Sequence, residues 1–334
     1  MNYTIIIFIT YLFISSTHAT ENSNGPNMSI LQNQPSFLIK IDTFGIRYIL
    51  KLNGITVLRE NGSDGQLSTT LPVNHWIHTS NNKIEVEVRP PNKGEEFNPH
   101  ARLEYSLILK SNLDENLFHT LSTINITGLS ANNSEEINSS PSGIFDSNNE
   151  FKISENGDIK VSDISVEKIP TFKGGLVYSR KIHAPSSIPL WKFFESDDLE
   201  NYDILGDDEY YQKLNTLLAE YLKVQDAITN KNIEILKPLF MERNNELDKA
   251  FYRKPGETEN TLFESLNDSA SDKKLKLIDL DKLSVNFNVE KNGKLTRLLR
   301  PNWVPAIAFS IETGGSIRYD MYFRKKDGKW ILTR

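Results

Sequence analysis

The stretch NNKIEVEVRPP, residues 81–91, decides how the first half of the chain folds. Its apolar residues Ile84, Val86 and Val88 alternate with charged residues, and this period of two is typical of a β-strand with one buried face. The opening pair Asn81-Asn82 is typical of a turn. The stretch therefore predicts a half-buried antiparallel strand.

Short β-rich segments lie on both sides of this strand. Asn53-Gly54 separates two of them, residues 47–52 and 55–59, and this pair supplies the positive φ angles of a tight hairpin. Further predicted strands cover residues 37–41, 68–72, 102–110, 151–153 and 159–166. Strands at this spacing, with no helical pattern between them, predict a β-sandwich over residues 36–195. Residues 129–149 are rich in Ser and Asn and predict a polar loop within it.

Three segments of this region resemble the jelly-roll modules of galactose-binding-like domains: LKLNGITV at residues 50–57, LPVNHWI at 71–77 and NNKIEVEVRPP at 81–91. The resemblance implies a sandwich fold, and carbohydrate binding is a common activity of such modules. That activity requires exposed aromatic side chains, for which Trp76, Phe97 and Tyr105 are the available residues. Trp76 is thus a candidate ligand-binding residue, with a role as a core anchor as the alternative.

The second half opens with a helical pattern. Tyr211, Leu214, Leu218, Tyr221 and Ile228 recur at three- and four-residue steps, which predicts an amphipathic helix beginning after residue 207. Shorter helices are predicted at residues 233–240 and 242–252. A single long helix is not expected there, because Pro238 would strain its interior. Predicted strands follow at residues 283–290, 295–300, 306–311, 317–324 and 330–334, joined by turns at 292–293, 314–315 and 327–328.

The last stretch, YDMYFRKKDGKWILTR at residues 319–334, resembles the final strand pair of the SnoaL-like, nuclear-transport-factor-like superfamily. The resemblance implies a cone-shaped α+β domain over residues 196–334, with three helices followed by a bent antiparallel sheet. Enzymes on that fold, such as ketosteroid isomerases and scytalone dehydratases, use Asp, His or Tyr groups in a pocket. The fold class expected for the whole chain is therefore α+β with two domains.

Candidate ligand-binding residues in this second domain are few. No histidine follows His183, so a His–Asp dyad is excluded, and the candidates are Asp226, Tyr319, Asp320 and Tyr322. We favour the alternative, in which they belong to a packed aromatic face and a salt-bridged outer face. His75 and His78 lack further ligands at a metal-binding spacing. No catalytic residue, metal or cofactor is therefore assigned.

The charge is distributed unevenly. Residues 195–209 contain eight acidic residues and no basic one, whereas residues 291–334 contain ten basic residues and three acidic ones. These segments are either solvated surfaces or docking surfaces for a charged partner. The candidate docking residues are Arg318, Arg324, Lys325, Lys326 and Lys329. The net charge of −6 disfavours a nucleic-acid partner.

The N-terminus predicts export. Residues 5–14 are apolar and precede small and polar residues ending at Ala19, which is the pattern of a signal peptide cleaved after Ala19. Residues 20–35 are polar and predict a flexible lead-in. The apolar run is too short for a permanent transmembrane helix, so no membrane span is expected in the mature chain. The absence of cysteine and the richness in Asn, Ile and Lys favour a bacterial periplasmic or secreted protein.

Together these observations predict an exported, non-catalytic binding protein whose partner is another protein. Immunity-type proteins and secretion-system accessory proteins of the periplasm are examples of this class. One alternative is a carbohydrate-binding protein that acts through the sandwich. The other is a cone-fold enzyme of the isomerase or dehydratase type.

Overall fold

The computed structural model describes residues 6–7, 34–60, 65–91, 96–114, 118–127, 159–199 and 206–334. Residues 17–190 form one compact unit, here the sandwich unit, and residues 191–334 form the second with residues 1–16, here the C-terminal unit. The polar loop at 129–149, the strand at 151–153 and nearly all of the predicted signal peptide and lead-in lie outside the described residues. In the described parts the chain is a mixed α+β protein with antiparallel sheets and three α-helices.

Strand β1 (Ile6–Ile7) belongs to the C-terminal unit, and the sandwich unit consists of the strands that follow. These are β2 (Pro35–Phe44), β3 (Arg47–Leu52), β4 (Ile55–Glu60), β5 (Gln66–Pro72), β6 (Asn81–Arg89), β7 (Arg102–Ser111), β8 (Phe118–Thr127), β9 (Lys160–Val161), β10 (Ser165–Lys168) and β11 (Leu176–His183). They form two antiparallel sheets in the orders β5-β2-β7-β8 and β10-β11-β6-β3-β4, with β9 beside β11. The Tyr105 hydroxyl of one sheet donates to the Lys51 carbonyl of the other at 3.1 Å, as expected for sheets that pack face to face.

Strand β6 has the predicted alternation, since Ile84, Val86 and Val88 are fully buried. The opposite face differs from the expectation, because Glu85 and Glu87 are only 3% and 8% exposed. Lys51 of the neighbouring strand lies 3.8 Å from the Glu85 carboxylate and 3.6 Å from that of Glu87. A counter-charge on the adjacent strand thus accompanies the burial of both carboxylates.

The C-terminal unit contains the helices α1 (Asp207–Thr229), α2 (Lys237–Ala250) and α3 (Glu257–Ser271). Its strands are β12 (Leu275–Leu277), β13 (Asn286–Val289), β14 (Thr296–Arg300), β15 (Val304–Pro305), β16 (Ile307–Ile311), β17 (Ser316–Tyr319), β18 (Phe323–Lys326) and β19 (Lys329–Leu332). One sheet has the order β1-β17-β16-β12, with β1 parallel to β17, and the other has the order β13-β14-β18-β19, with β15 beside β14. None of the helices in the described residues is long and apolar enough to cross a membrane.

Helix α1 presents the predicted core face, because Leu214, Leu218, Tyr221 and Ile228 are buried among apolar residues of the strands. Tyr211 is the exception, with 47% of its surface exposed. The core face therefore begins one turn later than the periodicity suggested.

The other two helices differ from the sequence prediction. A 3-10 turn, Ile233–Leu236, leads directly into α2, and Pro238 lies in the first turn of that helix. Proline is tolerated there because the first turn has no intrahelical acceptor for its missing N–H. The two predicted helices are thus one helix. Helix α3 was not predicted, and it places Phe263 and Leu266 in the core.

The predicted strand 317–324 is interrupted. Its first half is β17 and its second half is β18, and these belong to different sheets. Between them, the backbone N–H of Tyr322 donates to the carbonyl of Arg334 at 2.7 Å, and the N–H of Thr333 donates to the carbonyl of Tyr322 at 2.9 Å. Residues 320–322 therefore carry the chain from one sheet to the other.

The division between the units falls between Leu190 and Trp191, whereas the sequence placed it near Ser196. Trp191 is 1% exposed, and the guanidinium of Arg334 lies 5.5 Å from its ring centroid and 4.9 Å from that of Phe193. These aromatic contacts attach the segment before Ser196 to the C-terminal unit.

Candidate functional site: the charged surface of the C-terminal unit

The acidic segment and the basic strands of the sequence contact each other. The backbone N–H of Asp197 donates to the carbonyl of Lys325 at 3.0 Å, and its carboxylate accepts the N–H of Asp327 at 2.9 Å. The same carboxylate lies 3.9 Å from the ammonium of Lys326. Part of the charge asymmetry is therefore neutralised within this unit.

The same segment is also held by the turn between β13 and β14. The Lys294 ammonium lies 2.7 Å from the Asp198 carboxylate and donates to the carbonyl of Ser196 at 2.8 Å. The N–H of Leu199 donates to the carbonyl of Gly293 at 2.7 Å. Residues 196–199 thus bridge two hairpin turns.

The hairpin β18–β19 brings three of the predicted docking residues together. Its two-residue turn, Asp327-Gly328, has φ angles of 50° and 75°, which a tight turn between twisted strands requires. Lys326 and Lys329 flank this turn as cross-strand partners, and both are exposed. The Lys325 ammonium lies 5.3 Å from the centroid of the Trp330 ring. We call Lys325, Lys326 and Lys329 the basic hairpin.

Arg324 does not belong to this surface, although the sequence placed it there. It is 6% exposed, and its Nε and Nη2 atoms each donate to a carboxylate oxygen of Glu242 at 2.7 Å. Because both donors on this edge of the guanidinium are used by Glu242, Arg324 is not available to bind a partner protein. Arg324 therefore joins β18 to helix α2.

The Arg324–Glu242 pair makes stability depend on acid pH. Burial raises the pKa of Glu242, but the hydrogen bonds and the charge of Arg324, with Lys192 and Thr333, outweigh burial and bring the pKa below its usual value. A lowered carboxyl pKa stabilises the fold above the unfolded-state pKa, and this stabilisation is lost as pH falls through the folded-state pKa. Between about pH 5 and pH 3 we expect the wild type to lose more stability than Glu242→Gln, measured by urea unfolding.

The matched control is Glu209→Gln, which removes a carboxylate that is 51% exposed and pairs with Lys213 at 3.1 Å. Its acid-induced loss of stability should equal that of the wild type. Equal losses in the wild type and in Glu242→Gln would contradict the role of the buried pair.

Arg318 is also separate from the basic hairpin, because it lies on β17 in the other sheet. Its Nε donates to the Ser316 hydroxyl at 2.8 Å, and partial burial lowers its pKa. The five predicted docking residues therefore do not form one surface.

Asp320 and Tyr322 lie together around a residue that the sequence did not single out, Arg297. Arg297 donates through Nη1 to the Asp320 carboxylate, and its Nη2 lies 3.2 Å from the carboxylate of Glu290. Its guanidinium carbon is 4.4 Å from the centroid of the Tyr322 ring. Burial raises the pKa of Tyr322 well above its usual value, which disfavours proton transfer by this hydroxyl near neutral pH. Arg297 and its two carboxylate partners thus form a structural ion cluster at the point where the chain passes from one sheet to the other.

Tyr319 faces the other way, towards helix α3. Its hydroxyl lies 2.9 Å from the Ser265 hydroxyl and 2.8 Å from the Ser269 hydroxyl, and it donates to the Ser265 carbonyl at 3.0 Å. Its ring meets Phe309 edge-on at 6.0 Å. Tyr319 thus joins β17 to α3.

Asp226 lies on the exposed face of α1, beside the buried residues Val224 and Ala227. The helix turns its carboxylate towards solvent and its apolar neighbours towards the core. Asp226 is therefore not a buried carboxylate of the kind that an acid–base pocket requires.

The aromatic residues considered for carbohydrate binding are buried in the sandwich unit. Trp76, Phe97 and Tyr105 are 7%, 6% and 0% exposed. The carbonyl of Trp76 accepts a hydrogen bond from the Asn53 side chain at 2.8 Å, which ties it to the β3–β4 turn. These rings do not provide the exposed platform that the carbohydrate alternative requires.

The paired histidines of the sequence have structural contacts as well. Nδ1 of His78 accepts the N–H groups of Ser80 and Asn81, each at 3.3 Å, and burial lowers its pKa. Across the residues that the structure describes, no three His, Cys, Asp or Glu side chains are grouped so as to hold a metal ion.

Sequence reasoning also missed a second buried pair, Arg334 with Glu246. Nη1 of Arg334 donates to the Glu246 carboxylate at 2.6 Å, and the two residues are 4% and 7% exposed. Glu242 and Glu246 are four residues apart and so share one face of α2. That four-residue spacing of the acidic residues, together with the two arginines near the end of the chain, is the signal that could have predicted both pairs.

No known protein-family model, curated protein or solved structure matches this chain.

Proposed function

We propose that this protein is an exported, non-catalytic interaction protein whose C-terminal unit docks an acidic protein partner through the basic hairpin. The observation that carries the proposal is the gathering of Lys325, Lys326 and Lys329 at one two-residue turn, where Lys326 and Lys329 are exposed. Export rests on the apolar N-terminal segment and Ala19. Immunity-type and secretion-system accessory proteins of the bacterial periplasm are the classes that this arrangement suits.

The geometry of the hairpin supports docking rather than a purely solvated surface. Like charges that face each other across a strand pair cost stability, so the Lys326–Lys329 pair is unfavourable for folding alone. Asp197 compensates it only in part, because the ammonium–carboxylate distance is 3.9 Å and both groups are more than 40% exposed. A partner that brings further carboxylates would offset the remaining repulsion between Lys326 and Lys329. Its approach would also be steered by charge.

The two alternatives have less support. An isomerase or dehydratase requires a carboxylate that is free to transfer protons, but Asp320 is paired with Arg297 and Asp226 faces solvent. A carbohydrate-binding sandwich requires exposed aromatic rings, but Trp76 and Tyr105 are buried. Both alternatives would need groups other than those that the sequence suggested.

Reversing the charge of the basic hairpin should weaken partner binding. In a Lys326→Glu, Lys329→Glu variant we expect affinity to fall about ten-fold or more, with little change in folding, because both side chains are exposed. The wild type should also bind more weakly as salt is added. The measurement is quantitative affinity capture from periplasmic extract, followed by titration of the captured partner at low and moderate ionic strength.

The control variant is Lys168→Glu, Lys181→Glu, which makes the same change in net charge at two exposed positions of the sandwich unit. It should bind the partner like the wild type. If both variants and the wild type bind equally at both salt concentrations while remaining folded, the basic hairpin is not the docking surface.

A further inference from the structure

The turn at residues 78–82 leads into β6, and its tip is held by the ring of His78. Nδ1 of His78 accepts the backbone N–H groups of Ser80 and Asn81, each at 3.3 Å. One ring atom therefore serves two backbone donors at the tip of the turn.

The base of the turn is closed by a second residue, Asn82. Oδ1 of Asn82 accepts the N–H of His78 at 2.9 Å, and Nδ2 of Asn82 donates to the carbonyl of His78 at 3.1 Å. The same Oδ1 accepts from Nδ2 of Asn53 at 2.8 Å. None of these bonds uses the imidazole ring, so they do not depend on its protonation state.

The tip of the turn contacts the end of β11 and the residue after it. The carbonyl of Ser80 accepts the N–H of Ala184 at 2.7 Å. Oδ1 of Asn81 lies 2.8 Å from Nδ1 of His183, and because an amide oxygen only accepts, that ring nitrogen is the donor. The two residues that His78 holds therefore also join the turn to β11.

The contacts of His78 require a neutral ring. Nδ1 accepts a hydrogen bond only when it carries no proton, so the hydrogen of the neutral ring lies on Nε2. A protonated ring directs an N–H from Nδ1 towards two other N–H groups, and the acceptor is lost. Burial lowers the pKa of His78, which favours the neutral ring that this geometry requires.

The lowered pKa makes the turn sensitive to mild acid. The unfolded chain binds the proton more readily than the folded chain does, so the free energy of unfolding falls when the ring is protonated. The contribution of the neutral ring is complete above about pH 6.5, the usual pKa of histidine. It is lost as the pH falls through the folded-state pKa of His78.

The other charged or titratable groups near the turn differ from His78. They are His75, Lys51, Lys83, Glu85, Lys181 and His183. The two ammonium groups next to the turn, of Lys51 and Lys83, lie 3.8 Å and 2.9 Å from the Glu85 carboxylate. The ring of His75 lies against that of Trp76, with 4.5 Å between their centroids. His183 donates from Nδ1 in both protonation states, so its titration leaves its bond to Asn81 in place.

We propose that His78 is a pH-sensitive latch on the turn at residues 78–82. The neutral ring fixes Ser80 and Asn81, and its protonation releases them and weakens the junction between the turn and β11. The base of the turn stays closed through Asn82. The latch belongs to the sandwich unit and does not depend on the docking proposed for the basic hairpin.

Two measurements on the purified full chain test the latch. In nitrogen NMR spectra of the imidazole groups, neutral His78 should carry its hydrogen on Nε2 and should titrate below about pH 6.5. Backbone hydrogen exchange, normalised to the intrinsic rate at each pH, should show Ser80 and Asn81 protected while the ring is neutral. Their protection should fall about five-fold or more as His78 is protonated, since each N–H loses its acceptor. The N–H of Lys83, which donates to Oδ1 of Asn53 at 2.8 Å, should keep its protection.

A variant with an acceptor that does not titrate separates the latch from other effects of acid. In His78→Asn the amide oxygen is as many bonds from the backbone as Nδ1 is in histidine, so protection of Ser80 and Asn81 should stay constant from about pH 7.5 to pH 5. The control is His100→Asn, which replaces an exposed histidine of the same unit and should keep the wild-type pH dependence.

Three results would overturn the proposal. The first is a neutral His78 that carries its hydrogen on Nδ1, which needs no variant to detect. The second is unchanged protection of Ser80 and Asn81 while His78 titrates in the wild type. The third is a His78→Asn variant that keeps the wild-type pH dependence.

Discussion

Replacing Glu246 by glutamine is expected to destabilise the C-terminal unit by about 3–5 kcal/mol, because it leaves a buried guanidinium without its counter-charge. The wild-type carboxylate accepts from Arg334 at 2.6 Å through one oxygen and from the N–H of Lys192 at 3.1 Å through the other. Glutamine keeps one oxygen for Lys192 but turns its amide N–H₂ towards Arg334. The variant therefore removes both the negative charge and the acceptor that Arg334 uses, and urea unfolding followed by circular dichroism measures the effect.

Glu234→Gln provides the control for this measurement. It removes the same charge from a carboxylate that is 66% exposed and pairs with Lys237 one helical turn away. Such surface pairs contribute little, so its unfolding midpoint should remain close to that of the wild type. If Glu246→Gln shifts the unfolding midpoint as little as Glu234→Gln does, the stability of the unit does not depend on the charge of Glu246 beside Arg334.

A comparably large effect is expected at Trp191. This side chain is 1% exposed and lies under the guanidinium of Arg334. Truncating a buried tryptophan to alanine costs about 3–5 kcal/mol, because it removes apolar contacts and leaves a cavity. Trp191→Ala should therefore lower the midpoint of the transition that reports on the C-terminal unit, measured in the full chain.

Leu190→Ala is the matched control, since the preceding residue is 38% exposed. It should change stability by about 1 kcal/mol or less. The pair of variants tests where the C-terminal unit begins. If Trp191→Ala behaves like Leu190→Ala, residues 191–195 do not contribute to the core of the C-terminal unit.

The features that could be predicted from sequence are those that depend on neighbouring residues. The turns at Asn53-Gly54 and Asp327-Gly328 require positive φ angles that these residue pairs tolerate, and both occur as predicted. The alternation in β6 and the core face of α1 are likewise local periodicities. For the same reason, a mixed α+β chain with antiparallel sheets followed from the sequence alone.

The features that could not be predicted depend on contacts between distant residues. Residues 320–322 leave the strand conformation because the end of the chain, at Thr333 and Arg334, bonds to Tyr322. Nothing in the alternation of residues 317–324 indicates that change of sheet. Helix α3 was not predicted, although Phe263, Leu266 and Ala270 recur at three- and four-residue steps and pack in the core.

Contacts between distant residues also decide the roles of the charged residues in the candidate site, so these roles could not be predicted from sequence. A basic residue in a sequence has no visible partner, so Arg324, Lys326 and Lys329 look alike. In the structure Arg324 is buried against Glu242, whereas the two lysines are exposed beside a turn. The fold therefore divides a single cluster of positive charge in the sequence into a structural part and an accessible part.

The position of Asp197 beside the basic hairpin has a consequence for any acidic partner. Its carboxylate is bonded to the N–H of Asp327 and lies close to Lys326. A group held by its own chain acts at an effective concentration on the order of millimolar, however dilute the protein is. A partner must therefore compete with an internal ligand. A single acidic side chain gains little in that exchange, whereas a surface that presents several carboxylates at once displaces Asp197 and also engages Lys329. If the docking that we propose takes place, the tethered carboxylate would favour multivalent acidic surfaces over isolated charges.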